Sequence, residues 1–156
     1  MLNLFKLTPA YSATDDSIYV VRNTSSIVNK LVLFIPGGFN SPKDYSLVCQ
    51  YAASLGFHKF SLAYPNNLGA APFGTSADSL VFNKYRQEIC FGTPLSNAVT
   101  VDSLNSIYKR TLNLLGYLSN AYPLNNWSRF LTNANQINCS KIVSADHSQG
   151  SGHACY

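Results

Sequence analysis

A chain of 156 residues is one domain's worth of sequence, and a compact chain of that length buries roughly 70% of its unfolded surface, so a real hydrophobic core is expected. The net charge of +4 comes from eleven Lys and Arg scattered among seven acids without a basic stripe, which argues against nucleic acid as a partner. The longest apolar run, Leu31 to Ile35, has the length of a buried strand and falls well short of the ~18 residues that would span a bilayer, so no membrane span is expected and the protein should be soluble.

Charged residues are only 12% of the chain against a usual share of about 25%, and Asn, Ser, Thr and Tyr supply the polarity instead. Met1 to Leu7 lacks both an h-region and a small-residue cleavage site, so the opening reads as mature sequence. The compartment then reads as cytoplasmic, with a secreted or periplasmic protein left open if the true N-terminus is missing. Cys49, Cys90, Cys139 and Cys155 form no C-x-x-C pair and show no metal-ligand spacing. No metal or cofactor is expected, and a disulfide is left open. The N-x-S/T triplets at Asn23, Asn126 and Asn138 are what an Asn- and Ser-rich chain produces by chance.

In chain order, the first clear strand is Lys30 to Ile35, a continuous β-branched, Leu and Phe run ended by Pro36-Gly37-Gly38, the pattern of a strand buried on both faces in a parallel sheet. Ser41-Pro42-Lys43-Asp44 then supplies an N-cap, a proline at the first helical position and an acid in the first turn. Tyr45, Val48, Cys49, Ala52 and Leu55 form one apolar stripe expected to pack on the sheet, and Gly56 is the C-terminal stop. Lys59 to Tyr64 is a second strand closed by Pro65-Asn66-Asn67, completing a βαβ unit.

Asn67 to Val99 is a long Gly-, Pro- and Ser-rich connection with a short helical segment at Ser79 to Cys90, and loops of that size usually carry function. Asp102 to Tyr122 is the most regular helix, with Leu104, Ile107, Tyr108, Thr111, Leu114, Leu115 and Leu118 on one face and Pro123 beyond its end. Trp127 to Cys139 reads as a polar connection, and Lys141 to Ala145 as a last strand running into Asp146-His147-Ser148-Gln149-Gly150. The alternation of strands and helices makes residues 1–156 a single α/β domain.

A serine between a buried strand and a helix, with glycine two residues later, has the layout of a G-x-S-x-G nucleophile elbow, and Ser148 is that serine. The sharp turn drives the hydroxyl out at the end of the sheet. The positions two before and two after must be small, because strand and helix nearly touch there. Gly150 satisfies this rule and Asp146 does not. The matching oxyanion hole would take the backbone N–H of Gln149 and one from the loop after an earlier strand, here Gly38 or Phe39 in Pro36-Gly37-Gly38-Phe39.

Four segments together resemble a group of bacterial α/β-hydrolase-fold proteins. They are L-V-L-F-I-P-G-G with its following helix, L-A-Y-P-N at Leu62 to Asn66, N-S-I-Y-K-R-T-L-N-L-L-G-Y-L from Asn105, and H-S-Q-G-S-G-H-A at His147 to Ala154. The resemblance implies the N-terminal part of a doubly wound, mostly parallel α/β-hydrolase sheet in three αβα layers, cut just after the elbow. It also implies a serine hydrolase mechanism on a small ester-like substrate, with Ser148 as nucleophile, Gln149 and Gly38 or Phe39 holding the oxyanion, and His147 lining the pocket. In this fold the chain order is Ser, acid, His, so both triad partners belong after the elbow, and only eight residues follow Ser148.

His153 lies five residues along the same helix, 140° past a full turn and about 7.5 Å of rise from Ser148, so its ring is expected to point away and pack beside the elbow. His58 is expected at the entry to a strand. Asp78, Glu88 and Asp102 precede the nucleophile and read as loop and cap residues. Related sequences usually carry glycine at the position of Asp146, and a carboxylate about 6 Å from the oxyanion would oppose it by roughly 3 kcal/mol at an effective dielectric near 20, about two decades in rate.

A severed or impaired hydrolase and a non-catalytic binding module on the same scaffold are therefore the two competing expectations. A nucleotide-binding reading of Gly150-Ser151-Gly152 lacks the third glycine and the downstream acid. The Lys141 to Ala145 strand is expected at an unpaired sheet edge, which invites self-association.

Overall fold

The structure is a computed structural model that describes residues 3–6, 17–22, 28–133 and 136–156. The strands are β1 (Asn3–Lys6), β2 (Ser17–Arg22), β3 (Leu31–Ile35), β4 (His58–Ser61), β5 (Leu131–Asn133), β6 (Gln136–Ile137) and β7 (Ile142–Asp146). The α-helices are α1 (Ser46–Ser54), α2 (Val81–Phe91), α3 (Ile107–Ala121) and α4 (Gln149–Ala154).

Five strands form one sheet in the order β1-β2-β4-β3-β7, and β5 and β6 form a separate two-stranded ribbon. β3 lies between β4 and β7 and is parallel to both, whereas β2 is antiparallel to β4 and to β1. The domain is thus α/β with a mostly parallel sheet. β7 pairs with β3 alone among the described residues, so its other flank is an edge.

Side chains alternate across the sheet as strand geometry requires. Ile18, Val20, Leu31, Leu33, Ile35, Phe60 and Leu62 join the main core with residues of α2 and α3, among them Tyr85, Ile89, Leu114, Leu115 and Leu118. On the other face Tyr19 and Val21 of β2 meet Cys49 and Ala53 of α1. Helices therefore cover both faces, and β3, flanked on both sides, is buried throughout.

The capping expected at Ser41 is present. Its hydroxyl accepts from Lys43 N, and Asp44 accepts from the Ser41 N–H. The turn it starts, Pro42–Tyr45, is 3₁₀ rather than α, and α1 follows at Ser46. A 3₁₀ turn advances about 120° per residue instead of 100°. A wheel drawn at one angle from Ser41 therefore misplaces the face. Cys49 and Ala53 pack on the sheet, while Val48 and Leu55 are 47% and 51% exposed. Gly56, at φ 91°, ends the helix as expected, its N–H donating to Ala53 O while Phe57 N–H donates to Ala52 O.

The second strand is shorter than expected, His58–Ser61, with Leu62 N still donating to Phe34 O beyond its end. α3 begins later than Asp102, because Asp102 caps a separate 3₁₀ turn at Ser103–Asn105 and Ser106 caps α3 itself. Leu104 is accordingly turned out, whereas Ile107, Thr111, Leu114, Leu115 and Leu118 are buried as expected.

Trp127 to Cys139 is not simply a polar connection. Trp127–Phe130 is a 3₁₀ turn whose two aromatics are 2% and 0% exposed, stacked edge-on against the His58 ring at 4.8 and 5.0 Å. Glu88, expected in a loop or cap, is buried on α2. Its carboxylate accepts from the backbone N–H groups of Leu95, Ser96 and Val101 and so anchors the α2–α3 connection.

Leu114 is fully buried at the centre of this core and Leu47 is 78% exposed on the outer face of α1. Leu114→Ala should lower stability by about 2–5 kcal/mol in urea denaturation, with Leu47→Ala within about 0.5 kcal/mol of the parent.

Candidate functional site

β3 is followed by α1 on one face of the sheet, and its neighbour β7 is followed by α4 on the other. The gap between the carboxyl ends of two adjacent parallel strands whose connections leave on opposite faces is where open α/β sheets bind ligands. Pro36 to Phe39 and Asp146 to Ser148 meet at this gap.

His147 N donates to Ile35 O at 3.2 Å and Gly150 N to His147 O at 2.9 Å, which folds the chain back on the end of β3. A Cβ on Gly150 would stand 2.2 Å from Ile35 O and 2.7 Å from Pro36 O, so only glycine fits. Between them Ser148 is forced to φ 52°, ψ −118°, a region almost reserved for glycine. Ser148 is exposed at the N-terminus of α4.

The loop after β3 is held by residues from the end of β4. Asn66, buried, donates through Nδ2 to Gly37 O and Asn40 O at 2.9 Å each, and its own carbonyl accepts from Phe39 N at 2.9 Å. The Tyr64 hydroxyl donates to Pro36 O at 2.7 Å. Of the two loop donors suggested by the sequence, Phe39 N–H is thus engaged. Gly38 N–H has no partner among the described residues.

Gly38 faces Gln149: a Cβ at position 38 would lie 2.9 Å from Gln149 Oε1. The Gln149 side chain is fixed by its Nε2 donating to the Tyr85 hydroxyl at 2.9 Å, and that hydroxyl donates to Leu68 O at 2.8 Å. The Gln149 backbone N–H opens α4 and has no partner among the described residues. The structure therefore brings Gly38, Ser148 and Gln149 together.

His147 lies at the rim. Its Nδ1 is 2.8 Å from the Tyr45 hydroxyl, which also donates to Asn40 Oδ1 at 2.9 Å and accepts from Gly37 N at 3.2 Å. Phe39, at φ 63° and 70% exposed, stands at the mouth. Asn66, Tyr45, Tyr64 and Tyr85 support the site without belonging to any motif of the elbow. The signal in the sequence for Tyr64 and Asn66 is L-A-Y-P-N, the segment that follows β4.

Asp146 does less harm than its sequence position suggests. Its exposed carboxylate accepts a short hydrogen bond from the Ser151 hydroxyl. In water a charge at the same 6 Å would oppose an oxyanion by only about 0.7 kcal/mol, against roughly 3 at a dielectric of 20.

No imidazole among the described residues is hydrogen-bonded to Ser148 Oγ. His153 is 2% exposed, edge-on to Tyr64 at 5.5 Å and tilted against Tyr85 at 5.8 Å, away from the serine as its helical position requires. Burial, reinforced by the Arg86 guanidinium, holds its pKa down at about 4. His58 is also held low by burial, with its Nε2 2.9 Å from Asn125 O. Burial pushes the Tyr85 hydroxyl and the Cys90 thiol up to about 12 each. All four cysteines are free. Among the described residues no cluster suited to a metal ion occurs, and no helix is long and apolar enough to cross a membrane.

Compared with known proteins, the chain matches no family model, no curated protein and no solved structure.

The strain at Ser148 and the burial of His153 can each be read in stability. Ser148→Gly should be more stable than Ser148→Ala by about 1–2 kcal/mol in urea denaturation, because only glycine occupies that backbone region freely. His153 titrates near 4 when folded and near 6.5 when unfolded. Below 6.5 the unfolded chain therefore binds the extra proton. Stability should be full above that value and fall by about 3 kcal/mol as the pH drops toward 4, and His153→Phe should flatten that part of the profile.

Proposed function

We propose that this chain carries the nucleophile and oxyanion-binding half of a serine hydrolase site for a small ester-like substrate, built on an α/β-hydrolase-type scaffold. The observation that carries the proposal is the backbone of Ser148. A non-glycine residue held at φ 52°, ψ −118° between the edge strand β7 and a helix has the backbone expected of the strained turn of a nucleophile elbow, and such strain clusters at functional sites.

In this reading Ser148 Oγ attacks the substrate carbonyl and the developing oxyanion is received by the N–H groups of Gln149 and Gly38. Neither donor has to surrender another hydrogen bond to do so. Donors fixed in advance are worth about 3–4 kcal/mol each to such a step. Gly38 Cα lets the carbonyl approach closely. His147, held by Tyr45, and Phe39 border the entrance and touch the substrate.

A serine hydroxyl is a weak nucleophile until a base takes its proton. Without an imidazole on Ser148 Oγ the hydroxyl reacts slowly, and this observation favours the second reading, in which the same pocket binds a carbonyl ligand without cleaving it.

A fluorophosphonate probe separates the two. The expected result is slow modification at Ser148, found by peptide mapping and lost in Ser148→Ala, with a rate at least tenfold lower in Gly38→Ala. A chain that stays unmodified after prolonged exposure at pH 8–9 would sink the nucleophile reading and leave the binding module.

A further inference from the structure

On the α2 and α3 side of the sheet, a cavity of about 270 Å³ lies between α2, α3, the C-terminal part of α4 and the ladder of β3 with β7. Its wall is mainly apolar, with Leu33, Ile35, Ile107, Ile137 and Ile142 as aliphatic members. Neither Ser148 nor Gln149 borders it. The cavity is a separate feature of the fold, and its role is independent of the reading of Ser148.

Of the polar side chains on this wall, His153 and Thr111 are the buried ones with unpaired atoms, each 2% exposed. Neither ring nitrogen of His153 has a hydrogen-bond partner, and neither does Thr111 Oγ1. Buried polar groups in native proteins are almost always paired, and leaving one unpaired costs roughly 1–3 kcal/mol. Three unpaired atoms contributed by two side chains that border one cavity point to a group that enters it. At neutral pH the imidazole there is uncharged, offering one N–H and one lone pair, and the threonine hydroxyl both donates and accepts.

A hydroxyl matches that pair, because it donates to the bare nitrogen while accepting from Thr111 or from the imidazole N–H. Water could pair with these polar atoms but would leave the aliphatic wall uncovered, whereas a hydroxyl carried on an apolar body satisfies both. A cavity of about 150 Å³ takes a benzene ring, so this one has room for roughly ten heavy atoms.

We propose that the cavity is a binding site for a small neutral amphiphile, an aromatic or alkyl body of about ten heavy atoms with one hydroxyl, which seats its body on the isoleucine wall and its hydroxyl between His153 and Thr111. Recognition then divides cleanly. The body supplies affinity by burying apolar area. The hydroxyl supplies selectivity, because an isosteric hydrocarbon leaves the two side chains unpaired.

The matched probes 4-propylphenol and propylbenzene test this by NMR titration of the intact chain at pH 7. The phenol should bind at least tenfold more tightly, shift the Ile107, Ile137 and Ile142 methyl signals, and change the side-chain ¹⁵N shifts of His153. His153→Phe should bring the two affinities together by weakening the phenol while keeping the hydrocarbon, and Thr111→Val, the milder change, should narrow the gap by itself. Equal binding of the two probes to the parent chain would overturn the proposal. So would no binding of either up to its solubility, or shifts confined to residues outside the cavity wall.

Discussion

The contact between Gly150 and the end of β3 sets most of what is distinctive in this molecule. Ile35 O and Pro36 O stand where a β-carbon at position 150 would have to go, so helix and strand meet at backbone distance. The chain leaving β7 then has only His147 and Ser148 in which to reverse, and the reversal is forced into a conformation that costs of order 1–3 kcal/mol at Ser148. A looser packing of α4 would relax the serine and withdraw its hydroxyl from the gap between β3 and β7. Close packing, strain and exposure of the hydroxyl are therefore one feature seen from three sides.

The loop opposite is shaped by a different force. Pro36 to Asn40 has no ladder partner, yet its carbonyls are bound by Tyr64 and Asn66 at the end of β4, and one of its N–H groups by the Asn66 carbonyl. That arrangement consumes Phe39 N–H and leaves Gly38 N–H directed to no protein group among the described residues. With Gln149 N–H at the first position of α4, two neutral donors remain at the gap. Two free neutral donors at one gap accord with a chain that is only 12% charged, since no fixed positive charge is buried there.

How much of this is legible in the sequence depends on how local each cause is. The β3 run, the cap at Ser41, the stop at Gly56 and the amphipathic face of α3 are written in consecutive residues, and they are found where expected except that α3 starts at Ile107 and Leu104 and Tyr108 are exposed. The tight turn at Ser148 is equally local, because it depends on the small residue at Gly150, two positions on. Strand β2 escapes a reading by pattern although Ile18-Tyr19-Val20-Val21 has the β-branched and aromatic signature of a strand, since six residues of it carry little weight beside polar neighbours. The burial of Trp127 and Phe130 depends on meeting His58 from far along the chain, and the three backbone hydrogen bonds to Glu88 depend on how the following loop returns. No window of sequence contains both His58 and Trp127, and for Glu88 the nearby partners are backbone N–H groups, which leave no mark in residue type. The choice between Gly38 and Phe39 is out of reach for the same reason, as Asn66 decides it.

α4 joins the turn at Ser148 to the rest of the protein, and at six residues it is far too short to be stable by itself. One end is held by the Gly150 contact. Its other end is held by His153, whose ring sits against Tyr64 and Tyr85 and whose carbonyl accepts from the Cys90 thiol at 3.6 Å. Those partners also serve the gap: Tyr64 binds the loop after β3 and Tyr85 binds Gln149. His153 is thus the point at which α4, the loop after β3 and the cavity beneath them share one packing arrangement. Any change in how that ring is satisfied passes through Tyr64 and Tyr85 to both sides of the site, with no residue of the gap itself altered.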